Sequence, residues 1–438
     1  MSKMVSCPLS DLIEIKRGYA FRSEDYCDFG IPILRVSNIS DNQQIDDNYI
    51  YLNSQLAERY KSFQVEFNDI LLVMVGATTG KLGVVKNKNL PALLNQNIWN
   101  LKPKNKIDKE YLRYKSYMIL ESYLAVAQGS AREFLKQSDF LKYTTKYHIC
   151  KLEQQKIAKV LSTIDNQIEQ NQALIEKYTA IKQGLMADLF SRGIDVKTGK
   201  LRSSYQQAPE LYWESDLGWI PKDWGCSILK RLVKSAEYGI STSLNEDSTG
   251  IPVLRMNNIK NNEFNVSDLK YSKEQAAYSI RLKKGDVLYN RTNSMEHVGK
   301  AAIWKDELDK CSFASYLVRI NLNEELLLSQ YFAYWMSLES SQSSIRVFAT
   351  PAVQQVNISP TSLQKVLIAC PKCVDEQKLI VKEIKQITLT ISAEEVLIKK
   401  LKIEKQGLMQ DLLTGKKSVE SLPDSILNSS SLSNKITQ

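Results

Sequence analysis

Histidine is nearly missing. His148 and His297 are the two in 438 residues, and their isolation argues against imidazole-based general-base catalysis while leaving carboxylate chemistry open. Seven cysteines, an odd and scattered set (Cys7, Cys27, Cys150, Cys226, Cys311, Cys370, Cys373), argue against a disulfide framework, so reduced thiols are expected. The one Cys-x-x-Cys, Cys370 to Cys373, has no second pair and no histidine near it, and no metal is expected there. No stretch approaches the ~18 apolar residues of a membrane span; the longest, Ile70 to Ala77, suits a buried strand. Met1 to Leu12 holds no signal-like apolar run, which makes the cytoplasm the expected compartment. Also missing are a P-loop, a Gly-x-Gly-x-x-Gly opening a helix, His-Glu-x-x-His and Gly-x-Ser-x-Gly. There is no Asn/Asp-Pro-Pro-aromatic motif, and Pro423-Asp424 lacks the partner acids and lysine of a nuclease. The expectation is a non-catalytic chain that binds no cofactor of its own.

What is present is duplication. The length implies two or three domains. Gly30 to Ile39 recurs as Gly250 to Ile259 with seven identities in ten, and Lys182 to Leu189 recurs as Lys405 to Leu412 with seven in eight. The offsets, 220 and 223, are nearly one, so the whole chain is a tandem repeat. Between these blocks each half carries a strand-like segment and then a Gly-Lys turn: Asp69 to Val75 before Gly80-Lys81, and Asp286 to Tyr289 before Gly299-Lys300. The turn is two residues longer in the second copy, and the flanking residues differ, as in Val73-Met74-Val75-Gly76 against Asn290-Arg291-Thr292-Asn293. One scaffold with two surface chemistries follows. The formal charge of +9 suits a polyanionic partner without proving one.

Each half closes on a proline-free segment with helical spacing, about Leu152 to Phe190 and about Asp375 to Leu413. In the first, Ile157, Leu161, Ile164, Ile168, Asn171, Ile175, Tyr178, Lys182, Leu185 and Leu189 step by 4 and 3 in alternation. In the second, Ile380, Ile384, Ile387, Ile391, Glu394, Ile398, Leu401, Lys405, Leu408 and Leu412 repeat the pattern 223 positions later. A mean step of 3.5 keeps one apolar seam facing a partner, as in a coiled coil. Two separate amphipathic helices are the alternative, but the matched seams favour mutual packing. Some 36 helical residues make a rod of roughly 54 Å. A pseudo-twofold axis relating the copies would make the pair antiparallel. Gly184 and Gly407 cost about 1 kcal/mol each relative to alanine, which suggests close approach of a partner backbone.

These features together resemble the specificity subunit of type I restriction-modification systems. The resemblance rests on the Gly-Ile-Pro-(Ile/Val)-Leu-Arg-x-x-Asn-Ile segments, the helix starts Glu153-Gln154 and Glu376-Gln377, the Lys-Gln-Gly-Leu-Met helix ends, and Gly218-Trp219-Ile220-Pro221-Lys222-Asp223-Trp224 opening the second half. It covers roughly residues 8 to 415 and departs in the first half, where no Gly-x-x-Pro-x-x-Trp precedes Leu9. It implies an α+β fold in which two similar globular target-recognition domains are separated by two long antiparallel coiled-coil helices. The expected segments are 1–150 (target-recognition domain 1), 151–192 (conserved-region helix 1), 193–210 (linker), 211–372 (target-recognition domain 2), 373–415 (conserved-region helix 2) and 416–438 (a disordered tail). The implied partners are double-stranded DNA, two modification subunits that use S-adenosylmethionine, and restriction motor subunits. A coiled-coil protein scaffold without sequence-specific DNA binding is the competing reading; a recognition half of a single-chain restriction enzyme lacks its enzymatic motifs here.

Base readers are expected among polar residues on loops, because arginine pairs with guanine and asparagine or glutamine with adenine. In the first half these are Arg17, Tyr19, Arg22, Thr78, Thr79, Lys81, Gln128 and Arg132; in the second, Tyr238, Arg291, Asn293, Ser294, His297, Lys300, Arg346, Gln354 and Gln355. Arg35 and Arg255 lie in the repeated segment, so a scaffold or phosphate role is expected of them.

Overall fold

The computed structural model describes residues 3–40, 44–126, 134–260, 262–352 and 355–422. It forms two compact units, Met1–Ala173 with Glu395–Gln438, and Leu174–Glu394. These units do not follow the linear segments expected from the sequence. Each combines one globular half with one end of each long helix.

In the first unit a four-stranded antiparallel sheet runs in the spatial order Ile13–Arg17, Ile98–Pro103, Ile70–Val73, Leu82–Val84. The strand Ile70–Val73 is apolar throughout because both its faces are covered. Ile70 and Leu72 pack with Tyr111, Leu112 and Ile119 of the helix Lys109–Val126, while Leu71 and Val73 pack with Leu34, Ile39 and Ile98. A smaller sheet orders Tyr26–Cys27, Ile50–Leu52, Ile31–Leu34 and Leu93–Leu94, its last pair parallel. Met4–Pro8 pairs with Thr144–His148.

The second unit repeats this plan. Its main sheet orders Val233–Tyr238, Leu317–Leu322, Val287–Asn290 and Ala301–Ile303, and the smaller one Lys270–Ser272, Ile251–Leu254 and Ser312–Phe313. Trp224–Ile228 pairs with Leu367–Pro371. The Gly-Ile-Pro repeat is thus the inner strand of the smaller sheet, and its asparagine is structural. The Asn38 Nδ2 donates to the carbonyls of Asp46 (3.2 Å) and Asn48 (2.8 Å); Asn258 Nδ2 donates to those of Asn265 (2.9 Å) and Asp268 (2.8 Å). Both amides are buried, where each unmade bond would cost about 1–3 kcal/mol.

The long helices are Lys151–Arg192 and Val374–Leu413, each starting one residue before the sequence estimate. In the first unit Leu412 and Leu413 share a core with Ile157 and Leu161, and Lys405 Nζ meets Asp165 Oδ1 at 2.6 Å. In the second unit Met186 and Leu189 share a core with Ile380 and Ile384. Within each unit the end of one helix therefore lies beside the start of the other, and the segments run antiparallel. Every seam position is buried or half-buried, from Ile157, Leu161, Ile164, Ile168, Ile175, Leu185 and Leu189 to Ile380, Ile384, Ile387, Ile391, Ile398, Leu401, Leu408 and Leu412. Gly184 and Gly407 are exposed, and among the described residues nothing outside the helix's own nearby backbone lies within 4 Å of a Cβ built on either, so close approach between described segments does not explain them.

Two further segments carry defined structure. The linker is ordered: Ile194 bridges Leu201, and Arg202 pairs with the buried carboxylate of Glu376, which also accepts from Ile194 N (3.0 Å) and Trp224 Nε1 (2.9 Å). The tail expected to be disordered from residue 416 instead starts with an ordered stretch. A 3-10 turn at Val419–Ser421, capped by Ser418, packs Val419 at 2% exposure into the first unit's core, because an apolar side chain there completes the cover over Leu412 and Leu413. Residues 423–438 lie outside the described residues.

Lys115 is buried in that same core and donates from Nζ to the carbonyl of Leu413 at 2.8 Å, capping the helix end. Burial pushes its ammonium down to about 8, against roughly 10.4 in an unfolded chain. The folded state therefore holds fewer protons than the unfolded one between those values, and this group's contribution rises with pH from about 8 upward; below 8 its full charging penalty is present. Urea unfolding at pH 7.5 and 9.5 is expected to show a stability increment that Lys115→Met abolishes; an equal increment in the variant would contradict this assignment.

Candidate nucleic-acid interface

Three chain segments converge at the open end of the main sheet in each unit. The first is the exit of the edge strand, Arg17-Gly18-Tyr19 and Tyr238-Gly239-Ile240. A Cβ on Gly18 would lie 2.1 Å from the Asn95 carbonyl oxygen, and one on Gly239 2.3 Å from that of Phe313, so glycine is required where the backbones cross. The second is the turn after the inner strand. Gly80 N donates to Val73 O (2.9 Å) and Val73 N to Lys81 O (2.9 Å); Gly299 N donates to Asn290 O and Asn290 N to Lys300 O, both at 2.8 Å. Gly80 and Gly299 hold φ of +92° and +81°, a region glycine enters without penalty, which explains the shared Gly-Lys. The third is a return segment: Phe134 bridges Val75, and Asn357 pairs with Thr292.

On this common frame the side chains differ. Met74 N and Arg291 N make the same backbone bond, to Asn97 O and Tyr316 O, and Leu135 N and Ile358 N donate back to Met74 O and Arg291 O. Met74 thus stands where the second unit has Arg291, Phe134 where it has Asn357, and Arg17 where it has Tyr238.

In the first unit Arg17 is exposed and donates from Nε and Nη2 to Gln137 Oε1. Tyr19, 37% exposed, joins Phe21, Tyr60 and Phe63 in an aromatic cluster with centroids 4.6–5.2 Å apart. Thr78 and Lys81 are half-buried in the turn, and Thr79 Oγ1 donates to Gly76 O at 2.7 Å. Arg22 pairs with its neighbour Glu24 at 3.2 Å, both highly exposed. Gln128 and Arg132 lie outside the described residues.

In the second unit the Arg291 guanidinium sits over the Tyr238 ring, 5.1 Å from its centroid. Asn293 Oδ1 accepts from Ser294 N at 2.8 Å. Lys300 Nζ donates to His297 Nδ1 at 2.8 Å, since an ammonium has no lone pair to offer. Arg346 is tied to Glu339 on its own helix at 2.8 Å. Gln355 is half-buried in a short strand, and Gln354 lies outside the described residues. Met74 stood out in the sequence only as part of the stretch that diverges from Asn290–Asn293; Gln137, Phe134 and Asn357 were not singled out by sequence. The divergence of Phe134 from Asn357, at the 223 offset between two matched blocks, is the signal that marks the last of these.

Among the described residues no group of three or more metal-ligating side chains converges, and no helix is long and apolar enough to cross a membrane. Burial pushes the Cys370 thiol up to about 12, and Cys373 is exposed.

Two copies of one α+β domain, each with a different set of polar and aromatic side chains on the same loops, define a duplicated recognition protein. The type I restriction modification DNA specificity domain matches residues 1–179 and 221–403. The chain belongs to that family, as a specificity subunit with two such domains. It is 26% identical over 87% of its length to the type I restriction enzyme MjaVIII specificity subunit of Methanocaldococcus jannaschii, covering 89% of that protein. It is 27% identical to the putative MjaX specificity subunit of the same organism over 47% of this chain, a match spanning about half (49%) of that relative. The crystal structure of the type I restriction-modification S subunit from M. genitalium superposes with a TM-score of 0.55 at 13% identity, covering 94% of this chain and 96% of that one.

Proposed function

We propose that this chain is the non-catalytic reader of a cytoplasmic type I restriction-modification complex. Each globular half reads one half of an asymmetric, bipartite DNA sequence across an unspecified spacer. The paired helices recruit two modification subunits, which bind S-adenosylmethionine and methylate adenine, and restriction motor subunits join them. The observation that carries this reading is the pairing of an unchanged frame with changed side chains: Met74 against Arg291, Phe134 against Asn357, Arg17 against Tyr238. A domain that only bridged proteins would have no reason to vary these three convergent positions while keeping Gly18, Gly239, Gly80 and Gly299. In this division of labour lysine and arginine contacts to phosphate supply salt-dependent affinity, and the loop side chains select bases.

The test is selection from randomised duplexes by the full chain in complex with its cognate modification subunits. Two fixed blocks of sequence separated by a free spacer are expected, with affinity that falls as salt rises. Stable assembly without sequence selection would make the chain a scaffold instead. Ile164→Asp with Ile387→Asp places two charges in the seam at a cost of several kcal/mol, and co-elution with the modification subunits is expected to be lost; retained co-elution would move the docking surface off the seam.

A further inference from the structure

We propose that Arg291 is the specificity-determining side chain of the second domain, that it reads a guanine, and that Asn357 and Tyr238 position it. This rests on the DNA-reading function proposed above. Arg291 Nε donates to Asn357 Oδ1 at 3.2 Å, and Thr292 Oγ1 donates to the same oxygen at 3.0 Å. A guanidinium only donates, so the amide must turn its oxygen inward. Asn357 is itself fixed, paired in a three-stranded ribbon with Thr292 and Thr350, whose Oγ1 donates to its carbonyl at 3.0 Å. Tyr238 lies against the face of the guanidinium.

One nitrogen and one face of the group are thus committed. Among the described residues Nη1 and Nη2 make no hydrogen bond or ion pair. Most other arginines of this unit are neutralised: Arg192 by Asp188, Arg202 by Glu376, Arg255 by Asp268, Arg319 by Glu237 and Asp286, and Arg346 by Glu339; among the described residues Arg231 and Arg281 also form no ion pair, but neither lies at the convergent loops. The free end of Arg291 presents two parallel donors, which match the O6 and N7 acceptors of guanine. Holding the side chain in advance reduces the rotamer entropy lost on binding. Met74 and Phe134 at the corresponding positions deny the first domain this device, so the guanine belongs to one half of the target alone.

The test is the selection experiment repeated with variants in the intact complex. Arg291→Ala is expected to reduce preference at one guanine of one half-site by roughly 5- to 150-fold, with the other half unchanged. Asn357→Leu, which removes the acceptor, is expected to relax the same base pair, and Asn357→Asp, which keeps it, to restore the preference. An unchanged motif in Arg291→Ala, or an equal loss of affinity on every sequence, would overturn the assignment, the latter making Arg291 a phosphate contact. A misfolded Arg291→Ala leaves the Asn357 pair decisive, because Asn357→Leu with an unaltered motif also overturns it. A wild-type complex with no split motif would remove the DNA-reading function itself.

Discussion

A buried primary amide loses free energy for each donor or acceptor it leaves unpaired, and the glutamine in the first turn of each long helix pairs them with backbone of its own globular half. Gln154 Oε1 accepts from Asp108 N (2.7 Å), while its Nε2 donates to the carbonyls of His148 (2.7 Å) and Lys106 (3.2 Å). Gln377 repeats the set on Leu328 N (2.9 Å), Pro371 O (2.9 Å) and Leu326 O (2.8 Å). Both side chains are fully buried. Each tie joins the helix start to two loops of the domain at once, so the direction in which the helix leaves is set by three bonds rather than by packing alone. The antiparallel seam inside each unit starts from this anchor.

Given that anchor, the domain separates what must stay constant from what can vary. Asn38 and Asn258, the crossing glycines 18 and 239, and the turn glycines 80 and 299 serve backbone geometry, and they recur. Arg17, Met74 and Phe134 against Tyr238, Arg291 and Asn357 hold matching places on that frame, Met74 partly packed on the first unit's core, and they diverge. A shared residue cannot explain two different targets, whereas a divergent residue on a shared frame can.

Periodicity and repetition made much of this legible in the sequence. The seam, the helix starts to within one residue and the equivalence of the Gly-Ile-Pro strands follow from patterns that depend on neighbours along the chain. Convergence of segments far apart in the chain does not. That Arg17 meets Gln137, 120 residues on, and that Asn357 meets Arg291, 66 residues back, depend on which loops the sheet order brings together. Val419 shows the same limit in a different form, because a polar, Ser-rich context hid one side chain that completes a core. The first compact unit likewise joins residues from both ends of the chain, and the second takes in the end of one long helix and the start of the other, which no linear reading of boundaries reveals.

The central claim is that this one chain decides where a methyltransferase acts, one half-site per domain. The direct measurement is single-molecule sequencing of methylated adenines in host DNA, with the chain present and with it deleted, alongside its co-expressed modification subunit. A split, gapped motif that disappears with the chain is the predicted result. An unchanged methylation pattern, despite a stable complex, would contradict it.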